Sequence, residues 1–181
     1  MTMLSVISRS SLVAIFIFFN GNSAKAGDLA SSKYVDMTKG SNTAPVTLIE
    51  YASFTCPHCA DFHRNVFPLV DKEFIATGKV RFIYREVYFD APGLWAGLLA
   101  RCIEKDKYFG IINLLFDKQK IWSSGGNSEE ILSELLSIGR QVGISDEQTL
   151  ACMKDEEKAL DLVEAFQTNS KNDNITSTPS L

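Results

Sequence analysis

Phe54-Thr55-Cys56-Pro57-His58-Cys59-Ala60 is the stretch on which the reading of this chain turns. A β-like run, Val46-Thr47-Leu48-Ile49-Glu50-Tyr51-Ala52, precedes it, and apolar positions at helical spacing follow it. Two cysteines with two residues between them, at a strand-to-helix junction, form either a small disulfide or a dithiol. Thr55 is the candidate N-cap. Pro57 fits the first helical turn, where its missing N–H is no loss, and Cys56 then stands at the positive end of the helix dipole. Unpaired amide groups and a nearby imidazolium, which His58 supplies, favour the thiolate over the thiol. Each pKa unit of depression corresponds to about 1.4 kcal/mol of that preference. A stabilised thiolate stabilises the dithiol, which makes the disulfide the stronger oxidant.

Half a zinc site and an inert bridge are the competing readings. Zinc takes two such cysteine pairs, or one pair with spaced histidines. Here Cys102 and Cys152 stand alone, and the other histidine, His63, lies one turn beyond Cys59. The spacing favours redox chemistry.

Cys56-Pro57-His58-Cys59 after Glu50-Tyr51-Ala52-Ser53-Phe54, with a helical stretch behind it and a late Thr178-Pro179, resembles the DsbA family of thiol:disulfide oxidoreductases. The resemblance runs from about Ala44 to the end of the chain and is strongest at the cysteine motif. It implies an α/β class, thioredoxin fold with an inserted helical domain, and an oxidising role in the bacterial periplasm. A depressed pKa at Cys56 is likewise carried over from DsbA. The family places a buried acid beneath the disulfide at the position of Glu50, where it helps to move the proton of the second cysteine. It also places a cis-proline against the cysteine motif, and Thr178 before Pro179 then offers its backbone to an extended client. An outward-facing strand carboxylate remains the alternative for Glu50, and a plain tail the alternative for the Ser/Thr/Asn-rich end.

At 181 residues, the length suits a single domain with one insertion. A chain of this size buries about two-thirds of its unfolded surface and needs neither a metal nor a dense disulfide framework to fold. The net charge is −4. Residues 1–26 hold Arg9 and Lys25 and no acid, so the remainder carries 16 basic and 22 acidic residues, a net −6. Nucleic acid is excluded as an expected partner.

Residues 1–26 read as a signal peptide. Arg9 gives a positive start, Ser11 to Phe19 an apolar core, and Ala24-Lys25-Ala26 a small-x-small cleavage site, so the exported chain is expected to begin at Gly27. An uncleaved anchor is the alternative, although the apolar run is short for a bilayer span. Residues 27–43 read as an extended N-terminal segment, and 44–90 as the first part of a thioredoxin-like domain. Within it, a helix is expected from Pro57 to about Thr77, kinked at Pro68 and stopped at Gly78. A strand is expected over Val80 to Val87. His63 and Arg64 read as a solvated polar face without a catalytic role.

After the turn at Asp90-Ala91-Pro92-Gly93 the pattern is helical for about seventy residues, too long for an ordinary crossover. Residues 91–155 therefore read as a helical insertion, with Asn127 and Ser145 as N-caps followed three residues later by Glu130 and Gln148. Residues 156–181 read as the return helix and cis-proline loop. Cys102 and Cys152 fall in two insert helices and are either buried free thiols or, as favoured in an exported chain with four cysteines, a structural disulfide. Such a bridge closes a loop of about fifty residues, which is on the order of 4 kcal/mol in the chain-entropy account. The resemblance implies two further strands and a helix after the cis-proline, which a chain ending at Leu181 lacks.

The expectation is thus a periplasmic oxidoreductase that introduces disulfides into exported proteins. In this reading Cys56 is the attacked sulfur, Cys59 its partner, Pro57 the shaper of the turn, His58 the thiolate stabiliser, Glu50 the proton carrier and Thr178-Pro179 the client platform. Reduced or unfolded exported proteins are the expected clients, and a DsbB-like membrane quinone reductase the expected reoxidant. No cofactor and no metal are called for, and a monomer is expected. A disulfide isomerase or reductase, or a non-catalytic module that binds metal or clients, is the alternative.

Overall fold

The computed structural model describes residues 34–124 and 126–181. The signal-peptide reading of 1–26 lies outside the described residues, as does the first part of the 27–43 segment. The rest of that segment contains a strand that the sequence reading missed, β1 (Met37–Lys39). Only three residues long, it is too short for its alternation to stand out.

Strands β2 (Val46–Ala52) and β3 (Val80–Glu86) form the centre of the sheet. The order is β1-β3-β2, with β2 parallel to β3 and β1 antiparallel to it. The β2–β3 register sets Glu50 beside Tyr84 and Ala52 beside Glu86. On the free side of β2, Tyr51 and Ser180 exchange both backbone hydrogen bonds, at 2.9 and 3.0 Å. The residue after Pro179 is thereby held against the strand that leads into the cysteine motif.

The expected helix over 57–77 is three pieces. Helix α1 (Pro57–Asn65) breaks at Val66, α2 (Phe67–Val70) begins just before Pro68, and Asp71–Ile75 forms a π-helical turn. The break precedes the proline because Pro68 lacks an N–H and its ring crowds the carbonyl one turn earlier. Gly78 then ends the segment with φ +73°, and Lys79 N–H reaches back to the Phe74 carbonyl, a glycine-based C-terminal stop.

The helical region holds α3 (Ala91–Ala100), α4 (Tyr108–Asp117), α5 (Gln119–Trp122), α6 (Ser128–Gln141), α7 (Asp146–Met153) and α8 (Glu156–Asn172). Asn127 Oδ1 accepts from Glu130 N–H, and Ser145 with Gln148 forms a reciprocal capping box, so both cap signals mark true helix starts. Helix α4 lies against α1, and one core cluster runs from Phe54 and Cys59 through Tyr84 to Phe116, Trp122 and Leu135. Cys102 and Cys152 are bonded to each other, their Cα atoms 5.9 Å apart; Cys152 lies in α7, but Cys102 lies in the turn that follows α3 and not in a helix as expected, because α3 has already ended at Ala100.

Candidate active site

The N-cap of α1 is Cys56 itself, not Thr55. Thr55 turns aside and donates its hydroxyl to Asp90 Oδ2 at 2.8 Å, while Asp90 Oδ1 caps α3 by accepting from Gly93 N–H at 2.7 Å. The tertiary partner took Thr55 out of competition for the cap. The Cys56 sulfur thus occupies the position from which a side chain meets the first free amides of a helix.

Cys56 and Cys59 are free thiols, the first half-buried and the second fully buried. Partial burial pushes the Cys56 thiol up, but the nearness of the Thr178 side chain, the Cys59 amide and thiol and the His58 amide outweighs it, so its pKa falls below the ordinary value. Burial pushes Cys59 up to about 12, helped by its hydrogen bond with Cys56. One sulfur is therefore built to be a thiolate and its neighbour to keep its proton. His58 is exposed, and it is its backbone amide that acts on Cys56.

The Thr178–Pro179 peptide is cis, and Cys56 Sγ lies 3.5 Å from the Thr178 carbonyl oxygen. The end of the chain is therefore packed beside the cysteine motif, anchored by the Tyr51–Ser180 pairing.

Beneath the motif the structure departs most from the sequence reading. Glu50 and His63 are both buried, and His63 Nε2 lies 2.9 Å from Glu50 Oε2. His63 is thus not on a solvated face. It stacks on Phe116 at 4.3 Å between centroids and packs on Phe67 at 4.9 Å. Glu50 faces inward, so the outward alternative is excluded. Both Glu50 and Cys59 push up the pKa of the buried Tyr84 hydroxyl, after desolvation, which puts both within electrostatic reach of one group. Periodicity could not find His63, because a histidine one turn past a motif carries no apolar signal.

Gln119 was also missed. Buried on α5, it donates its one amide nitrogen to the carbonyl oxygens of Phe54, at 2.7 Å, and Cys56, at 2.9 Å. A second buried charge, Glu86, is gripped by Arg101 at 2.6 and 2.8 Å and accepts from the Tyr108 hydroxyl. It joins β3 to the end of α3 and to α4. Among the described residues no group of three side chains is arranged to hold a metal ion.

The family profile described as thioredoxin matches residues 32–181. The chain belongs to the thioredoxin family. Within that family it is 30% identical over 147 residues to a Rickettsia typhi chain named as a protein-disulfide oxidoreductase, covering 81% of this chain and 53% of that one. It is 28% identical over 146 residues to Bacillus subtilis disulfide bond formation protein D, covering 78% of this chain and 64% of the other. The crystal structure of Wolbachia pipientis alpha-DsbA1 superposes with a TM-score of 0.72 at 32% identity, covering 80% of this chain and 72% of that one. The chain spans about half the length of the Rickettsia relative, at 53%. The α/β thioredoxin fold implied by the DsbA resemblance is the fold found.

Proposed function

We propose that this thioredoxin-family chain is a periplasmic thiol:disulfide oxidoreductase working as an oxidase. The observation that carries the reading is the divergence of the two thiols at one helix end, Cys56 lowered and Cys59 raised to about 12. A client thiolate attacks Cys56 Sγ of the oxidised pair. The Cys56–Cys59 bond breaks, Cys59 leaves and takes up a proton, and a mixed disulfide holds the client. The client's second thiolate then attacks the client sulfur of that bond, and Cys56 departs as a thiolate. Two electrons pass from the client to the pair, and the low pKa of Cys56 makes it the better leaving group.

The half-buried Cys56 is the sulfur a client reaches, and Pro57 starts the helix that presents it. His58 lends its amide to the thiolate. Thr178 and Pro179 lie where an extended client would run, with the Thr178 carbonyl beside Cys56. Glu50 serves as the buried base for Cys59. The names of the relatives support oxidoreductase chemistry, and the signal-like residues 1–26 support export. Reduced exported proteins as clients and a DsbB-like quinone-linked membrane protein as reoxidant complete the reading.

The test is a trapping experiment run in reverse, in which the reduced chain meets an unfolded protein that carries a disulfide, so that the Cys56 thiolate attacks one client sulfur and expels the other as a thiolate. Cys59→Ala is expected to accumulate a mixed disulfide through Cys56, and Cys56→Ala to form none. Equal trapping by both variants, or by neither, would sink the assignment. An equilibrium with glutathione then separates oxidase from isomerase or reductase. A potential near that of thioredoxin, about −270 mV, rejects the oxidase role, and one near about −120 mV supports it.

A further inference from the structure

The Glu50–His63 pair has two loose ends. Among the described residues, Glu50 Oε1 and His63 Nδ1 are buried without a hydrogen-bond partner in the protein. Buried polar atoms are seldom left so, because each has given up its hydrogen bonds to water without a replacement. His63 also lines a cleft of about 330 Å³ between α1, α2, the following turn and α4, whose polar wall is made by Arg64, Asp71, Asn113 and Asp117. A space of that size admits several waters at about 30 Å³ each. His63 lies seven positions beyond Cys56, about 10 Å along the helix axis, so the cleft lies well down α1 from the exposed end of the motif.

We infer that His63 connects the buried carboxylate of Glu50 to this cleft, forming a proton path by which Cys59 loses and regains its proton without going past Cys56. The inference rests on the oxidoreductase reading. Cys59 is fully buried with its pKa pushed up to about 12, so direct loss of its proton to solvent is disfavoured. In reoxidation, Cys56 is bonded to the oxidant, a disulfide such as glutathione disulfide. The Cys59 proton passes to Glu50 Oε1, and the proton shared by Oε2 and Nε2 settles on Nε2. The Nδ1 proton leaves for water of the cleft, which a small opening motion must admit because Nδ1 is buried in the resting structure. Cys59 Sγ then attacks Cys56 Sγ and expels the oxidant's thiolate. Three protons shift by one place each, and two electrons pass to the oxidant. In the client half-reaction Cys59 leaves as a thiolate, takes the proton from Glu50 Oε1, and every shift reverses. The path therefore resets itself each cycle.

The groups facing the pair are Tyr84 from β3, Arg64 from α1, Asp71 from the turn after α2 and Asp117 from α4. Arg64 is itself held by the Phe116 carbonyl and Asp61. His63 acts through Glu50 and is a positioning residue.

The experiment is single-turnover reoxidation of the reduced full chain by glutathione disulfide between about pH 5 and 9, for wild type, His63→Gln and His63→Phe. Gln keeps a donor for Glu50 Oε2 and cannot pass a proton; Phe keeps the ring packing on Phe116 and loses both nitrogens. Both are expected to slow the closing step at least about tenfold at neutral pH and to flatten its pH profile, with the Cys56 thiolate midpoint unchanged. A merely structural His63 is rescued by Gln, so a His63→Gln rate within about twofold of wild type overturns the inference. The wild-type rate in H2O–D2O mixtures needs no variant. A bowed dependence on deuterium fraction is expected for several moving protons, and a straight line overturns the path. A wild-type chain that exchanges no thiols with glutathione overturns the oxidoreductase reading itself, whereas normal exchange with unaffected variants removes only the path.

Discussion

Gln119 holds Cys56 from behind. Its side-chain nitrogen donates at 2.9 Å to the Cys56 carbonyl oxygen and at 2.7 Å to that of Phe54, so one buried amide of the helical region fixes both sides of the turn that begins α1. Neither carbonyl has access to a regular strand partner once β2 has ended at Ala52.

Replacing Gln119 with Leu keeps the bulk and takes this donor from both oxygens, leaving the Phe54 carbonyl without it and the Cys56 carbonyl with only the helical bond from Ala60 N–H at 3.2 Å. The expected loss is about 2 kcal/mol of unfolding free energy, read from urea unfolding of the disulfide-intact chain. The turn should also loosen, and the thiolate midpoint of Cys56 should move toward the ordinary value. An unchanged midpoint together with unchanged stability would mean that another group takes over from Gln119.

Ionisation of the reduced pair should be strongly split. With Cys102 and Cys152 replaced by serine, thiolate absorbance should show Cys56 titrating below the ordinary thiol value of 9.0 and Cys59 only near about 12. The consequences for stability of the reduced chain have opposite signs. The depressed Cys56 contributes stability that is present above pH 9 and is lost as pH falls through its folded-state value. The raised Cys59 contributes stability that is present below pH 9 and is lost as pH rises toward about 12. Reduced-chain stability should therefore climb on leaving acid and decline in strong alkali. Two overlapping titrations near 9 would contradict the geometry of this helix end.

The Cys102–Cys152 bridge spans 50 positions and joins the turn after α3 to α7. Replacing both by serine should lower the unfolding free energy by up to about 4 kcal/mol and leave the Cys56 exchange rate within about twofold, because the bridge lies in the helical region while Cys56 stands at the start of α1. A large loss of exchange with little loss of stability would assign the second cysteine pair to the redox cycle instead.

Local patterns in the chain were enough to mark the cysteine motif, the strand before it, the strand over Val80–Glu86 and the caps at Asn127 and Ser145. These are signals within a few residues of one another, carried by alternation, helical spacing and side chains that bond their own backbone. The sequence also brought Thr178-Pro179 and Cys102 with Cys152 into view as residue types, although their neighbours lie far along the chain. Which donors and acceptors meet was settled by the packing of distant segments. That packing gave Thr55 to Asp90, made Cys56 the cap, turned Glu50 inward and drew His63 onto it across the aromatic rings of Phe67 and Phe116. A polar side chain declares its partner only when folding removes water and leaves it one neighbour to bond, and periodicity carries no record of that neighbour. The chemistry of the two sulfurs was legible in four consecutive residues, whereas the buried carboxylate–imidazole pair beneath them required the sheet, α1 and α4 to be assembled.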